Sequence, residues 1–332
     1  MLIRLDTSRV LAELERRSLK TVLIVAPDGL LKKANELAST LEARNVEVVI
    51  SGEACYGACD LKEDVAEAIK ADMILHIGHG LRVSRAGKRT FFVVAEDDVE
   101  FNKVIEKAAQ ILRQFSRVGL YTITQHLHKL AEAKALFEKY GFKVKINDGG
   151  KLSHGQIIGC EFQPAYAAKD DVDAFVFLGQ SRFHAVALAL STGKPTYMLD
   201  PYLEEVTDVA TLAEDFWRRS LLAVYKARDA ERFGIIIGLR EGQMKLHHVE
   251  RIREGLAKHG KSSTLIAMRD ISAERLNTFS WFDAFIQTAC PRISIDGTCF
   301  DKPVLSTPQA YALLNLLEGK DIGNFLRSPT WI

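Results

Sequence analysis

The feature that most limits the folds open to this chain is a pattern it runs through three times. Residues 21–26 form a short β-branched, apolar run closed by Pro27, Asp28 and Gly29. Leu30, Leu31, Ala34, Leu37, Ala38 and Leu41 then recur at helical spacing, and 46–51 reads as a second strand. A helix over 64–71, strands over 73–77 and 90–95, and a long helical pattern over 99–115 complete the round. The second round has strands over 118–123, 143–147, 174–178 and 195–199, with a long helical pattern over 206–228 leading out. The third has strands over 234–239, 263–268, 284–289 and 303–306, and a helix marked by Val249, Ile252 and Leu256 that stops at Gly260. Alternating strands and helices imply parallel sheets covered by helices, and a period of roughly 100 residues marks an internal repeat. The expectation is an α/β chain of three repeated domains, 1–115, 116–229 and 230–332. Each is a small four-stranded parallel sheet with flanking helices, and the three are arranged about a pseudo-threefold.

The repeat gives the cysteines a meaning that none has singly. Five cysteines, an odd number with no C-x-x-C pair, make neither a disulfide framework nor a zinc ribbon. Cys59 and Cys160 follow the second strands of rounds one and two. Cys290 follows the third strand of round three, and Pro291 holds it extended, so that strand should end at Cys290. A lone cysteine is usually a small buried hydrophobe. One per round, each at a strand's carboxyl end, where open parallel sheets bind ligands, points instead to convergence. Three thiolates with no obvious fourth suit a 4Fe–4S cluster with one iron left open rather than four-coordinate zinc. Cys55 and Cys299 have no counterparts in the repeat and are expected to be structural. His76 and His79 flank a strand end, as satisfied core histidines or functional ones.

Charge excludes other classes. The 44 basic and 43 acidic residues leave a net charge of +1 and no footprint for nucleic acid. Arg4 and Asp6 interrupt any signal-peptide core, and no run of 18 apolar residues exists, so a cytoplasmic protein with no membrane partner is expected.

YGACD at 56–60, HIGHG at 76–80, QHLHKL at 125–130, GQIIGC at 155–160, GQSRFHAVALAL at 179–190, GKPTYMLDPY at 193–202, RFGIIIGLREGQ at 232–243 and TACPRISID at 288–296 resemble the archaeal diphthamide synthase family, the 2-(3-amino-3-carboxypropyl)histidine synthases. The likeness runs along nearly the whole chain. It departs at Gly80, where the family usually has serine. The resemblance implies a non-classical radical enzyme whose cluster is held by Cys59, Cys160 and Cys290. It also implies S-adenosylmethionine as cosubstrate, transfer of a 3-amino-3-carboxypropyl group to one histidine of translation elongation factor 2, an external electron donor and a homodimer. Quinolinate synthase shares the three-domain, three-cysteine plan and is the nearest rival; a non-catalytic electron-transfer subunit is another.

The strand-end loops supply candidates for holding S-adenosylmethionine. Gly149, Gly150, Gly179 and Ser181 can offer backbone N–H groups to a carboxylate, Ser181 near a helix start. Gln125, His184 and Asp200 can contact amine, carboxylate or ribose. Each has a plainer role: Gln125 and His184 as capping or core residues, and Asp200, before Pro201, as a turn former. Arg292 can tune the cluster or pair with Asp296.

Overall fold

The apolar runs become the central strands of three separate sheets. The computed structural model describes residues 3–81, 85–86, 89–295 and 300–327. The first sheet has the order Glu47–Ile50, Thr21–Val25, Met73–Ile77, Thr90–Val93, Arg85–Ala86. In the second the order is Lys143–Lys145, Arg117–Thr122, Ala174–Leu178, Thr196–Asp200, Glu205–Asp208, and in the third Ser262–Met268, Arg232–Gly238, Ala284–Gln287, Val304–Ser306. In all three, four parallel strands run second, first, third, fourth. Strand order therefore reverses between the first and third strands, and the crevice at their carboxyl ends is the switch point where such sheets take ligands. The strands are apolar on both faces because helices cover both. In the second sheet Tyr121, Phe175 and Phe177 pack into one core, and Leu120, Val176 and Leu178 into the other.

A second repeated device starts each sheet. Asp72, Asp173 and Asp283 each precede a third strand, and each accepts two backbone N–H bonds at the start of the neighbouring first strand. The donors are Lys20 and Thr21, Ser116 and Arg117, and Glu231 and Arg232, at 2.8–3.2 Å. Each aspartate returns its own N–H to a carbonyl of that strand. The side chain of Arg117, with backbone donors behind it, holds the Asp173 carboxyl at about 2, and Arg232 does the same for Asp283. A carboxylate depressed in this way contributes fully above its ordinary range near 4 and is lost only as pH falls through about 2.

The structure corrects the four-stranded expectation. Among the described residues only the third sheet has four strands, all parallel. The first two carry an added antiparallel edge strand, Arg85–Ala86 and Glu205–Asp208. The second of these lies where helix was expected from residue 206. Val206 and Thr207 are β-branched and pair with Leu199 and Met198, and the helix begins only at Ala210–Ala227. Ile3–Leu5 pairs antiparallel with Ala95–Asp97 in a further two-stranded sheet. The strand expected to reach Cys290 stops at Gln287. Its side-chain oxygen accepts from Ala289 N and Cys290 N, and its Nε2 donates to the Cys290 carbonyl, so a side chain folds the turn before Pro291 can act. A closing helix, Thr307–Leu317, was not foreseen, although Ser306 and Gln309 form a capping box and Pro308 sits in its first turn. Among the described residues no helix is long and apolar enough to cross a membrane.

Candidate active site

Cys59 is held by a loop that buries charge. Asp60 is fully buried, 3.4 Å from Lys62 Nζ and 3.4 Å from Arg240 Nε, both nearly buried themselves. Arg240 also pairs with Asp270 and lies 3.8 Å over the Tyr56 ring. Glu241 accepts from the backbone N–H groups of Leu61 and Glu63. Gly242 N donates to the Cys59 carbonyl at 2.9 Å, and Gln243 Nε2 donates to Cys59 Sγ at 3.3 Å. A loop of the first sheet is thus anchored on residues 240–243 at the carboxyl end of a strand in the third. Contact is tight: a Cβ on Gly242 would lie 2.6 Å from Cys59 Cβ and 2.7 Å from its Cα. Gly242→Ala must push the Cys59 backbone away; on the expectation that Cys59 ligates a cluster, it should lower the iron of anaerobically purified protein severalfold while leaving the circular-dichroism spectrum unchanged.

Cys160 follows Gly159, whose missing side chain admits the Phe183 ring; a Cβ there would be 1.7 Å from it. Burial, with smaller contributions from the charges of Cys59 and Cys290, pushes the Cys160 thiol up to about 12. Burial also raises Cys59, against the bond from Gln243. The loops of the three cysteines are joined pairwise: Gln243 of the third part reaches Cys59 Sγ, and Phe183, seated against Gly159, lies under Arg292, two residues after Cys290. Burial disfavours the thiolate form of Cys59 and Cys160, the form in which a soft cation would be held.

Beside them, Ser181 Oγ and His184 Nδ1 are 2.7 Å apart at the start of the helix Arg182–Thr192. The His184 ring stacks on Phe177 and meets Phe183 edge-on, and Arg292 stands over Phe183 at 5.7 Å. Burial, with a smaller push from Arg292, lowers His184 to about 4, so its imidazole is neutral. An open cavity of about 770 Å³ lies here, lined by Ser181, Arg182, Phe183, Arg218, Arg219 and Arg292 among others. Gly179 adopts φ +142 just before it.

The remaining sequence candidates hold loops. Gln125 Nε2 donates to the Gly78 carbonyl at 2.7 Å. Gly149 and Gly150 lie against Pro164 and Gln163, so closely that a Cβ on Gly149 would be 2.4 Å from the proline ring. Asp200 Oδ1 accepts from Tyr202 N and Leu203 N, the turn that its place before Pro201 suggested. Gly80 accepts from Gln156 Nε2, and a Cβ there would lie 2.9 Å from the Thr124 methyl, so the departure from serine is matched by a close neighbour. Sequence reasoning left Cys55 as merely structural. Its sulfur lies 3.6 Å from His76 Nε2 and 3.8 Å from His79 Nδ1. The signal was H-x-x-H at a strand end, with a cysteine in the facing loop. Cys299 and Asp296 lie outside the described residues.

A family profile described as "Putative diphthamide synthesis protein" matches residues 26–323. Over 99% of its length the chain is 35% identical to the 2-(3-amino-3-carboxypropyl)histidine synthase of Pyrococcus horikoshii, covering 96% of that protein. It is 31% identical to 2-(3-amino-3-carboxypropyl)histidine synthase subunit 1 of Schizosaccharomyces pombe, over 92% of this chain and 72% of that one. The crystal structure of Dph2 from Pyrococcus horikoshii with a 4Fe–4S cluster matches with a TM-score of 0.87 at 34% identity, covering 95% of this chain and 92% of that one. The chain belongs to the diphthamide synthesis protein family.

Proposed function

We propose that this chain is a 2-(3-amino-3-carboxypropyl)histidine synthase, which moves the 3-amino-3-carboxypropyl group of S-adenosylmethionine to a histidine of translation elongation factor 2. The observation that carries the reading is the packing of the loops that bear Cys59, Cys160 and Cys290: Gln243 of the third part donates to Cys59 Sγ, and Phe183, seated against Gly159, lies under Arg292, two residues after Cys290. The solved relative that holds a 4Fe–4S cluster supports it. In this reading the three cysteines hold such a cluster, and the domains 1–115, 116–229 and 230–332 meet around it about a pseudo-threefold. The cluster, reduced by an external donor, supplies one electron for breaking a C–S bond of the sulfonium.

The chain's own residues decide the rest. Ser181 and the backbone N–H groups at the start of Arg182–Thr192 receive the carboxylate of the methionine part, with the Gly179 turn giving close approach. Neutral His184, fixed by Ser181 and stacked on Phe177, presents its other ring nitrogen to the amine. Gln125, Gly149, Gly150 and Asp200 keep the surrounding loops in place. The open cavity with its arginines admits the protein substrate, and a homodimer leaves it accessible.

Orientation of the cosubstrate selects the bond, since near-attack positioning is worth about 7–11 kcal/mol at best and selectivity needs only a few. Reduced protein with S-adenosylmethionine should therefore release methylthioadenosine and not 5′-deoxyadenosine, as chromatography of the mixture reads directly. With elongation factor 2 present, one histidine-containing peptide should gain the mass of the transferred group. Deoxyadenosine as the main product rejects the proposal, and an intact cosubstrate would leave only electron transfer.

A further inference from the structure

Cys55, His76 and His79 form a second constellation, separate from the three cysteines above. Their ligating atoms all lie within 4.8 Å of one another. His76 ends its strand on a fully buried face. Gly78, at φ +84, turns the chain so that the His79 ring comes back beside it, centroids 5.3 Å apart. A Cβ on Gly78 would strike Leu30 at 2.7 Å, so the turn depends on glycine. Cys55 reaches both rings from the loop that carries Cys59 four residues on. Zinc–sulfur and zinc–nitrogen bonds of about 2.3 and 2.0–2.1 Å at a tetrahedral angle put sulfur about 3.5 Å from each nitrogen. The observed 3.6 and 3.8 Å match that spacing.

His76 is the buried member. Its Nδ1 has no hydrogen-bond partner, and its Nε2, besides facing the sulfur, lies 3.2 Å from the Asp60 carbonyl. A metal displaces that weak bond. Cys55 and His79 are partly exposed, which gives the ion a way in.

We propose that Cys55, His76 and His79 bind one borderline-soft divalent metal ion, zinc or its equivalent, through one sulfur and two imidazole nitrogens, with a fourth position open. One thiolate and two imidazoles suit zinc, cobalt or copper better than magnesium or calcium. The ion would join the 52–60 loop to the turn after Met73–Ile77. It is not an extra iron of the cluster, and the proposal stands whether or not a cluster is present.

Untagged, full-length protein purified anaerobically is incubated with one equivalent of zinc and desalted, and zinc and iron are counted on the same sample. The expected result is one zinc per chain in the unaltered protein. Cys55→Ser and His79→Gln should each retain less than a tenth of that, with iron unchanged. In a cluster-free Cys59→Ser, Cys160→Ser, Cys290→Ser background, cobalt in place of zinc should give a thiolate charge-transfer band that Cys55→Ser removes. Failure of the unaltered protein to retain zinc overturns the proposal. So does zinc retained equally by Cys55→Ser, or iron lost together with zinc in that variant, which would make Cys55 a cluster ligand. Absence of iron in every sample would count against the cluster alone.

Discussion

Replacing Cys59, Cys160 or Cys290 singly with alanine should remove most of the iron and sulfide from anaerobically purified protein and abolish cleavage of S-adenosylmethionine, while the fold survives. Each cysteine comes from a different sheet, and Cys55, which shares the loop of Cys59, faces His76 and His79 instead. A site with two of three thiolates would hold its cluster far less well, because each lost soft donor leaves one iron without its preferred ligand. Retention of the fold follows from the position of these residues in strand-end loops outside the three cores. Cys55→Ala should leave the iron in place. Full iron in Cys59→Ala together with bleaching in Cys55→Ala would reverse the assignment of the ligand in the first domain.

The second large effect concerns Arg240. Asp60 has no exposed surface, and Arg240 is the cation that ties it to the third sheet. Removing one partner of a buried pair typically costs about 3–5 kcal/mol, because the survivor is left charged and unsolvated. Lys62 remains beside Asp60 and offsets part of this, so Arg240→Met should cost about 3 kcal/mol in a urea titration and release the Cys59 loop. Arg240→Lys should recover little, since an ammonium cannot span Asp60 and Asp270 and stack on Tyr56 at once. The pair Asp60→Asn with Arg240→Met should be milder than Arg240→Met alone, as neither charge is then stranded. An unchanged unfolding midpoint in Arg240→Met would show that Lys62 suffices and that the anchor lies elsewhere.

The strands over 21–25, 73–77 and 174–178 were legible because an unbroken apolar run bounded by turn residues has few other uses. The three cysteines stood out because the repeat puts each after a strand. The edge strand Glu205–Asp208 was not, because four residues that merge into a helical pattern carry no period of their own; pairing with Thr196–Asp200 decides it. The helix Thr307–Leu317 was announced by Ser306, Pro308 and Gln309, and attention to capping signals would have found it. Residues 240–243 close one of the motifs that carry the resemblance but were given no role, since that role exists only through contact with a segment some 180 positions earlier. Asp200 and Gln125 show the converse limit: a polar residue beside a strand end has the same sequence signature whether it turns the chain or touches a ligand.

The aspartate clamps carry a consequence for how the protein is made. Each uses groups of a single sheet, so the first third of the chain can close as it leaves the ribosome. The loop bearing Cys59 cannot settle then, because Arg240, Glu241, Gly242 and Gln243 have yet to be synthesised. During translation of the second and third parts, that thiol hangs from a folded body without its anchor, open to oxidation and to stray metal. A cluster of the kind proposed could therefore be inserted only after residues 240–243 and Cys290 have been made, and a product truncated before them would be folded in part yet lack the site.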